Sequence, residues 1–133
     1  MIKNAKITST MFGREDHGIL TFMIFVAFDG CSCGVGGYAV DMYDRNLKSR
    51  VYTSKGLEAI ANILTVAGVD AWEKLPGTYI RIKYNGLGST IDEIGNLMED
   101  KWFNLREFFK GEEKGEEIIY KLSYEWRDKR RNR

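Results

Sequence analysis

Hydrophobic and polar positions in the first forty residues follow a pattern that predicts an antiparallel sheet. A β-rich opening at positions 2–13 leads into a polar turn at 14–18. The run 19–28 is β-branched and aromatic with apolar residues at nearly every position, which predicts a central strand covered on both faces. After a turn at Asp29-Gly30, the glycine-rich stretch 34–41 predicts an antiparallel partner with a bulge. The expected result is a three-stranded meander.

The apolar spacing changes from strand-like to helical after residue 53. Ser54 is the expected N-cap of this helix and Gly68 its expected C-cap. Helical spacing places five apolar side chains on one face: Leu57, Ile60, Ala61, Leu64 and Ala67. Trp72 and Leu75 are expected to pack a short turn onto the sheet. The sequence therefore predicts one main helix.

The second half of the chain predicts further strands and two more helical segments. In 78–84, Ile80 and Ile82 alternate with Arg81 and Lys83, which indicates a strand with one solvent-exposed face. The stretch 90–97 is expected to pair back onto it, and a short helix is predicted for 105–109. Beyond Gly111, acidic residues come early and basic residues late, as suits a helix dipole.

These elements together predict an α+β fold: an antiparallel sheet with one main helix packed on it and a C-terminal helix. Residues 1–110 are predicted to form a single domain and residues 111–133 a C-terminal helical extension. An apolar stripe on that extension predicts self-association into a homo-oligomer; its residues are Ile118, Ile119, Leu122 and Trp126.

Length and charge exclude several classes of protein. A chain of 133 residues with 44% hydrophobic content fits one folded domain. Twenty basic residues against nineteen acidic ones give a net charge of +1, so no global field attracts nucleic acid or an anionic membrane. The local excess of positive charge at 127–133 is interpreted as a solvated helix end. The apolar run 19–28 is too short to cross a bilayer, and no signal peptide is visible, so a cytoplasmic protein is expected.

Few residues suggest catalysis or metal binding. Cys31 and Cys33 are too few for a zinc site and have the wrong spacing for a redox pair, so reduced thiols in a turn are expected. His17 is the only histidine, and beside Asp16 it is the best candidate for acid-base chemistry, but no nucleophile accompanies it. The sequence therefore predicts no catalytic residue, no metal and no cofactor.

Basic and aromatic residues near each other in sequence favour binding of a small nucleotide. Arginine forks bind phosphate oxygens and aromatic faces stack on purines. The candidate binding residues are Arg81, Asn96, Phe103, Arg106 and Phe109, together with Gly36 and Gly37. There are four structural alternatives: the aromatic side chains belong to the core, the glycines form a bulged or closely approached strand, Asn96 closes a turn, and Arg106 forms a surface ion pair with Glu99 or Asp100.

Six sequence blocks resemble a family encoded by bacteriophages, the first class of Thoeris anti-defence proteins. The resemblance covers about residues 2 to 110 and is carried by 13–19, 36–41, 69–75, 77–81, 94–96 and 99–103. It implies a protein of the host bacterial cytoplasm that sequesters cyclic ADP-ribose isomers made by TIR-domain sensors, without cleaving them. It further implies oligomers with ligand sites between subunits, and in some members capture of cyclic oligonucleotides at separate sites.

Two other classes of function remain open on the sequence. One is an enzyme that degrades a nucleotide signal, with His17 and Asp16 as acid and base. The other is a phage structural or assembly protein that uses the apolar C-terminal stripe as its main surface.

Overall fold

A six-stranded antiparallel sheet dominates the protein, whose computed structural model describes residues 1–86 and 90–110. The strand order is β3-β2-β1-β6-β7-β8, and β4 and β5 form a separate two-stranded ribbon. The elements in chain order are β1 (Ile2–Arg14), β2 (Leu20–Phe28), β3 (Cys31–Ala39), β4 (Asp41–Asp44), β5 (Ser49–Tyr52), α1 (Ser54–Ala67), a 3-10 turn (Trp72–Lys74), β6 (Tyr79–Lys83), β7 (Glu93–Gly95), β8 (Trp102–Asn104) and α2 (Leu105–Lys110). The predicted α+β class is confirmed.

The predicted meander of β1, β2 and β3 is confirmed, but one expectation about its central strand is wrong. Alternate side chains of β2, including Phe22, Ile24 and Val26, are fully buried on the face that carries the core. On the opposite face Phe25 remains 39% exposed. We call these the core face and the open face of the sheet. An apolar run does not reveal which of its two faces a helix will cover, and here α1 packs on only one.

The main helix begins one residue earlier than its predicted cap suggests. Thr53, not Ser54, is the N-cap: its hydroxyl accepts a hydrogen bond from the Gly56 N–H at 3.0 Å. Gly68 ends the helix in the left-handed conformation, at φ 79°, as predicted. A Cβ at Gly56 would lie 2.5 Å from the Cβ of Val40, so this glycine lets the helix start close against the chain that enters the ribbon.

The ribbon of β4 and β5 joins β3 to α1, in a stretch for which the sequence predicts neither strand nor helix. Its anchor is Asp41, a buried carboxylate that accepts two hydrogen bonds from the Arg50 guanidinium at 2.7 and 2.8 Å. The Leu20 N–H donates to the same carboxylate at 3.2 Å. The hydrogen bond with Asp41 raises the pKa of Arg50 above its ordinary value. This pair ties the ribbon to the start of β2.

The second half of the sheet has shorter strands than predicted, and one strand more. Ile80 and Ile82 are fully buried, which confirms the alternation of β6. The expected strand at 90–97 is only the three residues of β7, and 102–104 form an additional strand, β8, that was not expected. The short helix at 105–109 is confirmed as α2. The predicted helix in 111–133, with its apolar stripe and basic end, lies outside the described residues.

The two cysteines are free, as expected, but they lie in β3 rather than in a turn. Within the described ranges, no helix has the length and apolar character needed to cross a membrane.

Candidate functional site

The structure divides the seven predicted binding residues between the two faces of the sheet. Arg81 and the buried Ile80 and Ile82 alternate along β6, so Arg81 lies on the open face. Phe103 is buried on the core face, and α2 follows β8 directly with Arg106 and Phe109. In β3, Gly36 lies beside the core-face residue Phe22, whereas Gly37 lies beside the side chain of Met23. One small ligand cannot contact both faces, so the seven residues do not form a single site.

A bulge at Gly36 and Gly37 determines where the following tyrosine points. Between the pairs Met23↔Gly36 and Thr21↔Ala39, β3 contains one residue more than β2. Both glycines have positive φ, 117° and 82°, and a Cβ at Gly36 would lie 2.9 Å from the ring and from the carbonyl of Phe22. The extra residue brings Tyr38 to the core face beside Phe22. The glycines therefore shape the backbone.

Tyr38 stacks on Phe109 at this position. The two ring centroids are 4.5 Å apart and the ring planes differ by 6°. Phe108 meets Phe109 edge-on at 5.4 Å and Phe103 edge-on at 5.2 Å. Tyr38, Phe108 and Phe109 are each only partly buried. The result is an aromatic surface open to solvent in part, built where the end of β3 meets α2.

Three charged side chains lie near this aromatic surface: Lys55, Asp92 and Arg106. Arg106 is 60% exposed and lies 3.8 Å from the Asp92 carboxylate, a loose contact. The Lys55 ammonium group lies 5.7 Å from the centre of the Phe108 ring, although Lys55 is only 6% exposed. Burial raises the pKa of the Tyr38 phenol, the negative charge of Asp92 raises it further, and Arg106 partly offsets this.

We call Tyr38, Lys55, Asp92, Arg106 and Phe109 the Tyr38 cluster. It combines two stacked rings, two cations and one anion. Within the described part of the chain, Arg106 is exposed and only loosely paired, so there its guanidinium is available to a phosphate. Arg106 lies at the start of α2, but the Asn104 side chain already accepts the Glu107 N–H at 2.9 Å. An anion would therefore bind the Arg106 guanidinium rather than the N-terminus of α2.

The Arg81 guanidinium is hydrogen-bonded to the protein's own backbone on the open face. It donates to the Asn96 carbonyl at 2.7 Å and to the Glu99 carbonyl at 2.8 Å. Its central carbon lies 4.7 Å from the centre of the Trp102 ring. These contacts hold the turn 96–101 against β6, and we call them the Arg81 clasp.

Asn96 completes this clasp rather than facing a ligand. Its amide NH2 donates to the Val66 carbonyl at 2.8 Å, and its side-chain oxygen accepts the N–H groups of Met98 and Glu99 at 3.0 and 2.8 Å. The carbonyl of Val66 belongs to α1, so Asn96 links the turn to the main helix. All of its side-chain contacts support the alternative that it closes a turn.

His17 and its neighbours form an exposed turn. The His17 side chain is 84% exposed, and its Nδ1 lies 3.3 Å from a carboxylate oxygen of Glu15, not of Asp16. Desolvation raises the pKa of Glu15, but hydrogen bonds from His17 and Ile19 lower it by more, so it lies below its ordinary value. In the described part of the chain, no three histidine, cysteine, aspartate or glutamate residues converge as a metal site would require.

A cavity of about 510 Å³ lies at the far end of the sheet. Its lining includes Lys3, Asp29 and Tyr84, and Lys3 pairs with Asp29 at 2.6 Å. Its volume is in the range of small-molecule sites. However, the positive charge of Lys3 is already neutralised by Asp29, so this cavity is a weaker candidate for phosphate binding than the Tyr38 cluster.

Sequence reasoning missed Tyr38, Lys55 and Asp92 as site residues. Tyr38 follows the paired glycines directly, so a bulge that redirects the next side chain was the available signal. Lys55 joins the cluster through its contact with Phe108 of α2, and Asp92, which directly precedes β7, through its contact with Arg106. No local pattern indicates either contact.

Comparison of the chain with protein-family models, with curated proteins and with solved structures found no match.

Proposed function

We propose that this protein binds cyclic ADP-ribose-type nucleotides made by bacterial TIR-domain proteins and sequesters them without cleavage. The observation that carries the proposal is the stacked pair of Tyr38 and Phe109 beside the exposed Arg106. An adenine ring can stack on a partly exposed aromatic face while the guanidinium binds the pyrophosphate in a bidentate manner. The resemblance to the Thoeris anti-defence family supports the same ligand class.

The biological consequence follows from sequestration. A bound signal cannot activate the Thoeris effector, so a phage that carries this protein escapes the defence. The proposed place of action is the host bacterial cytoplasm, where the signal is made. The proposed assembly is a homo-oligomer. Because the described Tyr38 cluster is a surface rather than an enclosed pocket, a second subunit would help to bury the ligand. Cyclic oligonucleotides are a further ligand class within the proposal.

Heat release distinguishes this proposal from the two alternatives. The protein is incubated with a cyclic ADP-ribose isomer, separated from free ligand, heated, and the supernatant is analysed by mass spectrometry. Recovery of intact ligand supports sequestration. A product of changed mass supports an enzyme, and absence of any retained nucleotide supports a structural role. Light scattering at micromolar concentration tests the assembly, and a monomeric mass would refute the homo-oligomer.

A further inference from the structure

The two cysteines lie on the core face of the sheet, at the start of β3. Their partners on β2 are the buried residues Phe28 and Val26, and the register of β3 with β2 is unbroken from Cys31 to Gly36. Alternate residues of a strand point to the same face, so Cys31 and Cys33 both point to the core face. Both are free thiols and only partly buried. Two thiols, one residue apart, therefore share one face of one strand.

Tyr84 shows that the two thiols lie close to one common group. Its ring meets the ring of Phe28 edge-on, with centroids 4.9 Å apart, and Tyr84 and Cys33 both pack against the hydrophobic core. Burial raises the pKa of the Tyr84 phenol, and negative charge on Cys31 or on Cys33 raises it further. Both sulfur atoms therefore lie within electrostatic range of the same hydroxyl group. The partial exposure of the cysteines gives a small ion a path to them.

The extended backbone of β3 suits an ion between the two sulfur atoms better than a disulfide. A strand rises about 3.3 Å per residue, so Cα atoms two residues apart are separated by about 6.6 Å. This is close to the upper limit of about 6.8 Å for a disulfide. A disulfide brings its sulfur atoms to about 2.05 Å, whereas two collinear metal–sulfur bonds of about 2.3 Å leave them about 4.6 Å apart. The wider separation keeps β3 extended and paired with β2.

The ligands that the chain contains favour a soft ion with two thiolates. The whole sequence has two cysteines and one histidine, and His17 lies in the turn between β1 and β2, at the opposite end of β2 from Phe28. Tetrahedral zinc takes four ligands, and within residues 1–86 and 90–110 no three histidine, cysteine, aspartate or glutamate residues converge. Soft thiolates select Cu(I), a closed-shell ion for which two collinear sulfur ligands are sufficient. The argument that excludes zinc at these cysteines therefore does not exclude Cu(I).

We propose that Cys31 and Cys33 bind one Cu(I) ion per chain as a two-coordinate dithiolate. On binding, each thiol gives its proton to solvent, and each sulfur donates an electron pair to the ion. Copper remains Cu(I) throughout, so the step needs no oxidant or reductant. Tyr38 lies near the opposite end of β3, so this site is separate from the proposed nucleotide site and does not depend on it.

Anaerobic competition with a chromogenic Cu(I) chelator, bicinchoninate, tests the site in the full-length protein. Wild type is expected to withdraw one equivalent of copper from the chelator. Cys31→Ser and Cys33→Ser should each lower the affinity for Cu(I) at least about a hundredfold, because one thiolate cannot replace two. X-ray absorption of the copper-loaded wild type should find two sulfur neighbours around the ion. This measurement needs no variant.

The matched control combines Ser32→Cys with Cys33→Ser. It keeps two cysteines in β3 but places them at adjacent positions, on opposite faces of the strand, so it should bind Cu(I) no better than Cys33→Ser. Unchanged thermal unfolding of the metal-free variants shows that they are folded.

Three results would overturn the proposal. The first is that wild type withdraws no copper from the chelator. The second is that the control variant competes as well as wild type, since a shared face would then not matter. The third is that copper has three or more sulfur neighbours, or that it converts the protein to a larger species in gel filtration, since the ion would then be shared between chains.

Discussion

The two arginines that the sequence marked as phosphate ligands, Arg81 and Arg106, have opposite surroundings in the fold. Arg81 donates to two backbone carbonyls at 2.7 and 2.8 Å and lies over Trp102. Among the described residues, Arg106 has one ion-pair partner, Asp92, at 3.8 Å, and its side chain is 60% exposed. A guanidinium that satisfies backbone acceptors stabilises the fold, whereas one that is loosely paired beside stacked rings is available to a ligand. Residue type alone could not separate these roles.

The largest effect is expected from Arg81→Ala, on stability. The substitution removes two charge-assisted hydrogen bonds and the contact with Trp102, and leaves two carbonyls without this donor. We expect the free energy of unfolding to fall by about 3 kcal/mol. Chemical denaturation measures this directly. Arg81→Lys is the control, because it keeps the charge but not the fork, and it should recover only part of the loss.

An Arg81→Ala protein with wild-type stability and much weaker ligand binding would reverse the assignment. Arg81 would then be a ligand residue, and the open face would become the binding site.

Arg106→Ala is expected to act on binding rather than on stability. Losing a charge-assisted contact to the pyrophosphate should cost about 1.5–3 kcal/mol, or roughly ten- to a hundred-fold in affinity. Calorimetric titration with a cyclic ADP-ribose isomer measures the change, and Arg106→Lys should rescue only part of it. Lys101→Ala, which removes a cation from the surface ion pair with Glu99, is the matched control and should bind like wild type.

Affinities within fivefold across wild type, Arg106→Ala and Arg106→Lys would remove Arg106 from the site. That result would mean that its loose pairing with Asp92 is only a surface contact.

The contrast between the arginines also shows what sequence can and cannot predict in this protein. The meander, α1 with its Gly68 cap, and β6 were predicted from local periodicity and turn residues. The predicted apolar face of α1 is wrong, because Leu57 is 66% exposed whereas Ala59, Ile63 and Val66 are buried.

The ribbon of β4 and β5 was missed because each of its strands has only four residues, too few to show a clear alternation. The pair of Asp41 and Arg50 lies nine residues apart in the chain, but no sequence pattern marks it.

The site was predicted in part for the same reason. Arg106 and Phe109 are close in sequence, so proximity along the chain sufficed to group them. Tyr38 and Lys55 come from β3 and α1 and join them only in the folded chain. Asn96 was assigned to the wrong group, since its three hydrogen bonds to the turn and to α1 are invisible in a linear sequence.

A smaller effect on binding is expected from Phe109→Leu. Leucine keeps apolar bulk but removes the flat ring that stacks on Tyr38, so a base loses part of its platform. We expect a loss of about 1 kcal/mol, or roughly fivefold in affinity, by the same titration. Phe103→Leu is the matched control, because Phe103 is only 7% exposed and contacts Phe108 from the core side. Phe103→Leu should lower stability and leave affinity nearly unchanged. If Phe103→Leu instead weakens binding more than Phe109→Leu does, the ligand binds elsewhere.

The smallest effect is expected from His17→Ala, which tests whether any chemistry accompanies binding. His17 is 84% exposed, contacts only the neighbouring Glu15 among the described residues, and lies in the turn between β1 and β2. An acid-base residue needs a partner and a substrate within hydrogen-bond reach, and an exposed turn holds neither in place. Affinity should therefore stay within a few-fold of wild type, and mass spectrometry should find the ligand intact after incubation with either protein. Asp16→Asn tests the second member of the proposed catalytic pair and should behave in the same way. A ligand that wild type converts and that His17→Ala leaves intact would establish an enzyme, and the Tyr38 cluster would then serve binding of its substrate.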